Sequence, residues 1–280
     1  MWKPLAVIEH SLTGILCFST LICLFLIPKQ KSLASIWNGS PPLFIVLTAS
    51  FLLTTVVLAI AIVWILLNLR LIEETSTTMA TLYFAGVATF ATKWFYDSAT
   101  IALFLQRIVL LQFPARNSKR LNWILLMATF GVPLGLSVFN LVENVKWYPL
   151  GSGTLGEDCY SYNCMSSHSP FILAFCAYTV LAYSFIVVLL GSILQFLLCR
   201  YKSHFNSSTN VQINKFTSCL FYLRVVLEFI PYFVDSILAR TAGISLGSYI
   251  GPYGSLGGSA EVFVCIAVYY RMVKKAKLCG

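Results

Sequence analysis

The 280-residue chain carries 19 Lys and Arg against 10 Asp and Glu, a net charge of +9, yet only 10% of its residues are charged and 58% are hydrophobic. Soluble domains carry about 25% charged residues, so this composition, with a mean hydropathy of +0.81, excludes a water-covered globule and predicts a protein solvated by lipid. The basic surplus is spread over short segments without any nucleic-acid-binding motif, which excludes a nucleic-acid partner and makes Lys and Arg markers of topology.

A membrane span needs about 20 predominantly apolar residues. Seven segments supply them: 5–27, 43–69, 81–111, 121–142, 170–199, 216–238 and 244–270. The expected fold is therefore one all-α domain over 1–280, a seven-transmembrane helix bundle. The first segment has neither a basic leader nor a small-residue cleavage site, and reads as an uncleaved span that serves as its own insertion signal. The second has no charge in its core.

The third span breaks the pattern with Lys93, Asp97 and Arg107. Lys93 and Asp97 are four residues apart, so they share a helix face and can pair. At 1.5 Å per residue, Asp97 lies about 15 Å along the helix from Arg107, near mid-bilayer. A charge at that depth costs several kcal/mol unless paired, and marks a functional site by default. Trp94, Phe95 and Tyr96 lie beside the pair and supply aromatic walls for a pocket. The alternative is a self-satisfied Lys–Asp pair with a structural role. Arg107 falls near the helix end, where an arginine can snorkel to the interface. Gln106 precedes it, and Pro114 follows it by seven residues.

The fourth span is apolar. The loop after it holds GEDCYSYNC, in which Cys159 and Cys164 share a polar segment and form a candidate disulfide if that loop faces an oxidising compartment. Most of the remaining cysteines lie inside apolar runs, where they act as small hydrophobes. None has zinc-site spacing.

The fifth span is again free of charge in its core. The sixth contains Arg224 and Glu228, four apart and just before Pro231, which fits either a polar lock or a static pair within one helix. Tyr232 and Asp235 lie further out, where they can reach a ligand. The seventh contains Glu261, a partner for Arg224 or for a backbone donor. It also contains the small-residue faces Gly247-xxx-Gly251 and Gly254-xxx-Gly258, which allow close helix approach. With Pro252 the same glycines also fit a broken helix at a transporter site, although the two halves of the chain show no internal symmetry.

The interspan segments set the orientation. Lys29, Lys31, Arg116, Lys119, Arg120, Arg200, Lys202, Lys215, Arg271, Lys274, Lys275 and Lys277 fall on one side, and Lys3, Arg70, Lys146 and Arg240 on the other. The positive-inside rule makes the richer side cytoplasmic, with the N-terminus outside and the C-terminus inside. Two glycosylation sequons, at Asn38 and Asn206, fall in segments assigned to the cytoplasm by this rule; glycan at Asn206 would reverse the assignment.

The stretch from Arg107 through Gln112, Phe113 and Pro114 into the basic ARNSKR turn resembles the end of the third span and the second cytoplasmic loop of rhodopsin-like receptors. EFIPYF resembles their sixth span, with Pro231 at the kink proline and Phe229 at the aromatic switch position. Gln106 stands where that family has an acid, and Ile108 where it has an aromatic residue. The cysteine of the third span, the asparagine–proline pair of the seventh and the LAxxD of the second are missing. This divergence, with the short length, is most similar to the nematode serpentine chemoreceptor families, nearest an Srbc-like class.

The resemblance implies a G-protein-coupled chemosensory receptor in the plasma membrane, with the lipid bilayer, a small-molecule ligand and a heterotrimeric G protein as partners. It implies a ligand site lined by the third, sixth and seventh spans, with Lys93, Trp94, Asp97, Phe229, Tyr232, Asp235 and Glu261 as candidates. It implies a coupling and switch set of Gln106, Arg107, Pro114, Arg224, Glu228 and Pro231, in which Gln106 restrains Arg107 more weakly than an acid would. No cofactor or metal is expected. Catalysis is not expected either, because His10, His168 and His204 lie in three separate places and cannot converge on one metal. The alternative function is a small-solute transporter or channel.

Overall fold

The computed structural model describes residues 3–113, 118–147, 162–165, 170–201, 208–241 and 253–279. Regular structure among them is helical throughout: α1 (Lys3–Gln30), α2 (Leu33–Gly39), α3 (Pro41–Asn68), α4 (Ser76–Gln112), α5 (Ser118–Trp147), α6 (Tyr162–Met165), α7 (Pro170–Arg200), α8 (Ser208–Arg224), a π-helical turn (Val225–Phe229), α9 (Ile230–Thr241) and α10 (Tyr253–Cys279). Seven stretches are long and apolar enough to cross a membrane: Pro4–Gln30, Pro41–Asn68, Ser76–Gln112, Arg120–Lys146, Ala174–Arg200, Val211–Leu238 and Gly254–Lys277.

These bounds correct the sequence-based ones most at the two polar spans. The sixth begins eight residues before the expected Phe216, because STNVQINK is helical although its hydropathy is low. The seventh is expected over 244–270; 244–252 lie outside the described residues, and from Tyr253 the helix runs past 270 to Cys279. Hydropathy placed its end before Arg271. The helix continues because lysine is a good helix former and its long stem lets the ammonium leave the apolar layer.

Local chemistry sets the ends. Thr75 caps α4, its hydroxyl accepting from the Thr78 N–H at 3.2 Å. Ser32 caps α2 in the same way through Ser35. Ser40 precedes α3 and makes no side-chain cap bond. Pro41 and Pro42 open that helix without N–H groups, so fewer orphan donors need a cap. The Ser40 hydroxyl is free to bond elsewhere. Helix α3 closes with Arg70 in the left-handed region, φ 56°. The Leu71 N–H returns to Leu66 O and the Arg70 N–H to Leu67 O, the paired bonds of a Schellman turn.

The helices close a ring. Helix α1 packs on α3 and α10, α3 on α4, α4 on α5 and α7, α7 on α8, and α8 on α10. Helix α4 is the central post, and its span is the most buried of the seven. The ends of α1 and α10 meet where Lys277 Nζ donates to the Lys29 carbonyl at 3.1 Å. Alternation of the spans puts the segments around Lys29, Arg120, Arg200 and Arg271 at that same basic end.

The outside of the ring is apolar. On α1, Ile8, Leu12, Ile15, Phe18, Ile22 and Phe25 are exposed along one stripe. On α5, Ile124, Met127, Leu134 and Val138 do the same. Exposed apolar area of this extent is foreign to a soluble monomer and suits acyl chains. Polarity is turned inward.

Candidate functional site

The interior of the bundle brings five ionisable side chains from three spans into one network. Lys93 and Asp97 come from α4, Arg224 and Glu228 from the α8–π junction, and Glu261 from α10. The i,i+4 spacing pairs Lys93 Nζ with Asp97 Oδ1 at 2.8 Å and Arg224 Nη1 with Glu228 Oε2 at 2.6 Å. Each helix pair is then crossed by the other. Lys93 Nζ reaches Glu228 Oε1 at 2.9 Å, and Arg224 Nη1 reaches Asp97 Oδ1 at 2.6 Å. Arg224 Nη2 lies 3.0 Å from Glu261 Oε1.

The neighbours complete the network. Ser184 on α7 donates to Glu228 Oε1 at 2.7 Å. The Tyr96 hydroxyl donates to Glu261 Oε1 at 3.0 Å. The Arg224 guanidinium sits over the Tyr96 ring, 5.3 Å from its centroid, a favourable arrangement for a planar cation. Asp97, Arg224, Glu228 and Glu261 are buried, while the Lys93 side chain keeps 16% of its exposure.

Ion pairs this deep hold only when most of their hydrogen-bonding capacity is met. Here four spans contribute to meeting it. That capacity is not fully met: three carboxylates face two cations, and Glu261 Oε2, Arg224 Nε and Arg224 Nη2 have no hydrogen-bond partner among the described residues, Nη2 making only its ion pair with Glu261.

The sixth span carries its π-helical turn where the network sits. Pro231 has no N–H to give the Leu227 carbonyl four residues back. The Ile230 N–H bonds Val225 O instead, five residues back. A π turn of this kind is a recurrent mark of functional sites. The Leu227 carbonyl turns toward α10, where a Cβ on Gly257 would lie 2.7 Å from it. Gly257 thus lets the Leu227 carbonyl of the sixth span press on the seventh. Gly254 plays the same part for Tyr232, whose hydroxyl would lie 2.4 Å from an added Cβ. The expected small-residue pairing Gly254-xxx-Gly258 is corrected to Gly254-xx-Gly257, since Gly258 faces open space. Gly247 and Gly251 lie outside the described residues.

The other candidates fall elsewhere. Trp94 is fully buried on the α7 side of α4, among Ile172, Cys176 and Tyr183, away from the network. Phe229 stacks on Phe233 with centroids 5.7 Å apart. Asp235 is half-buried on α9, two turns beyond Glu228. Pro114 and Cys159 lie outside the described residues, as does the side chain of Cys164, and the disulfide between the two cysteines with them.

At the basic end, Arg107 is buried rather than snorkelling. Its Nη2 and Nε donate to Asn214 Oδ1 on α8 at 2.6 and 3.1 Å. Gln106 points away from it. The Gln106 amide donates to Asn122 Oδ1 at 2.8 Å and accepts from Ser40 Oγ at 2.7 Å, so it ties α4 to α5 and to the start of α3. Consecutive helical residues do not share a face. The expected relation is therefore corrected: Asn214 bonds Arg107, and Gln106 bonds Asn122 and Ser40 instead.

Sequence reasoning missed Asn214, Ser184 and Asn122. Asn214 was hidden because hydropathy left it in a loop. Ser184 was hidden as one hydroxyl in an apolar run. At the end opposite the basic one, Tyr162 of α6 drops its ring onto Gly86 of α4, where a Cβ would be only 2.2 Å away. Its hydroxyl donates to Asn144 on α5 at 2.7 Å.

No protein-family model matches the chain, and no curated protein matches it in sequence. What fold and site define together is a multi-pass membrane protein whose third, sixth and seventh spans are joined by a buried ionic network.

Proposed function

We propose that the chain is a G-protein-coupled chemosensory receptor in the plasma membrane. A small ligand enters from the end opposite the basic one, and the basic end meets a heterotrimeric G protein. The observation that carries this reading is the network at the π turn of the sixth span. Arg224 and Glu228, two turns and one turn before Pro231, bind the third and seventh spans. A ligand that competes for one carboxylate or for Lys93 loosens that hold. It thereby biases the inner part of the sixth span between two positions, which is the differential binding any ligand switch requires. Asn214 then releases or retains Arg107 at the coupling end.

A second reading, a small-solute transporter or channel, draws on the surplus carboxylate. Intramembrane acids in excess of bases are a recurrent feature of ion and proton pathways.

One experiment separates the two. Cells expressing the chain are exposed to a panel of odorants and small metabolites, with G-protein-dependent second messengers and solute uptake recorded in parallel. Second-messenger responses that disappear in Arg107→Ala support the receptor. Uptake without such signalling supports the transporter.

A further inference from the structure

A cavity of about 370 Å³ opens sideways from the bundle between α4, α5 and α7, within the volume range of small-molecule sites. Its space comes from small residues facing one another, with Ala102 and Leu105 on α4, Ala128 and Val132 on α5, and Ala182 and Ile186 on α7. Among the described residues, no charged side chain lines it.

Each hydroxyl in its wall already has a partner. Ser98 bonds Tyr183 at 2.9 Å, Thr129 donates to Leu125 O at 2.7 Å, and Thr179 donates to Phe175 O and Cys176 O. An occupant with its own polar groups would bury them with little to bond, at a cost of about 1–3 kcal/mol each. The wall therefore selects hydrocarbon.

Shape and position narrow the occupant further. The lining on α5 runs from Leu125 to Leu136, about 16 Å along the helix axis. That is an upright slot, parallel to the direction of lipid tails. Val132 and Ile186 at its mouth are 54% and 42% exposed, within stretches that cross the membrane. What reaches the mouth sideways is the acyl region of the bilayer. A free fatty acid would carry its carboxylate into a wall with no cation. A phospholipid tail can enter while its headgroup stays at the surface.

We infer that this cleft is a binding site for one acyl chain of a membrane phospholipid, taken laterally from the bilayer. It stands independently of the receptor reading. It lies against the back of the ionic network, since Ser98 follows Asp97 on α4, Tyr183 precedes Ser184 on α7, and the Ser98–Tyr183 bond joins the two helices there.

The test uses the full chain in phosphatidylcholine nanodiscs containing a small fraction of phosphatidylcholine with a mid-chain diazirine. Irradiation and peptide mapping are expected to give adducts at 98–105, 125–136 and 179–186 several-fold above those on the outward residues of α1, which touch only annular lipid. Ala182→Phe fills the cleft from an exposed position and is expected to remove the enrichment; Ala128→Phe does so from a different helix. Labelling equal on the cleft and on the α1 face overturns the site, as does enrichment that survives both substitutions. Enrichment with a diazirine sterol or fatty acid but not with phosphatidylcholine overturns the assignment to a phospholipid chain.

Discussion

Arg224 Nη1 lies 2.6 Å from Asp97 Oδ1, across the interface between the sixth and third spans, with both side chains fully buried. One guanidinium thus holds Asp97, Glu228 and Glu261 together. Arg224→Met leaves three buried carboxylates facing Lys93 alone. Breaking a buried pair from one side costs about 3–5 kcal/mol. The expected outcome is a large fall in thermal stability in detergent. Arg224→Lys recovers only part of it, because a point charge cannot replace the fork. Asp97→Asn is expected to cost less in the Arg224→Met background than alone, since the two substitutions remove one shared interaction. Equal costs in both backgrounds would show that the pair is not coupled.

At the basic end the decisive contact is Arg107 with Asn214. Asn214→Ala removes the amide oxygen that accepts both bonds. Hydrogen bonds to a charged group contribute about 1.5–3 kcal/mol, and a stability loss of that order is expected in a melting experiment. Under the receptor reading, the same variant raises signalling without ligand, because Arg107 loses its two bonds to Asn214 on α8. Gln106→Ala is expected to loosen α3 and α5 but to leave basal signalling unchanged. A rise with Gln106→Ala and none with Asn214→Ala would reverse the roles assigned to the two residues.

The sequence carries much of this in its short-range spacings. Apolar runs mark all seven spans, and the i,i+4 rule pairs Lys93 with Asp97 and Arg224 with Glu228. What it does not carry is the crossing of those pairs. Lys93 with Glu228 spans 135 residues, and no local pattern encodes a contact at that separation. Direction around the helix was lost too. Gln106 and Arg107 are neighbours in sequence yet serve opposite sides of α4. Hydropathy misjudged the ends of α8 and α10 because Asn214 and Arg271 are polar residues in helices that outlast the apolar layer. The use of Gly257 rather than Gly258 depends on where the π turn before Pro231 delivers the Leu227 carbonyl.

That contact supplies a paired prediction. Gly257→Ala places a methyl 2.7 Å from the Leu227 oxygen, so backbone must move. Overpacking of this kind costs about 1–3 kcal/mol. Gly258→Ala meets nothing within 4 Å and removes a helix-interior glycine, which is worth up to about 1 kcal/mol in its favour. The two neighbouring substitutions are expected to move the melting temperature in opposite directions. Equal effects would mean that the sixth and seventh spans do not press together at Leu227.

Tyr162 offers a test at the other end through pH. Burial pushes its phenol above the usual tyrosine range, with Tyr83 and Cys176 nearby adding to the rise. The sign follows from linkage. An unfolded tyrosine ionises near about pH 10, while Tyr162 docked on Gly86 keeps its proton to higher pH. The docked state therefore binds more protons above that value, and its stability falls as pH rises. Below about pH 10 the contribution is fully present. Hydrogen exchange of the backbone at 162–165 is expected to accelerate above this pH by more than the intrinsic rate. Tyr162→Phe keeps the ring on Gly86 but loses the bond to Asn144, at a cost of about 1 kcal/mol. In that variant exchange should be faster at neutral pH and should lose the extra pH dependence. Retention of that dependence in Tyr162→Phe would assign it to another group.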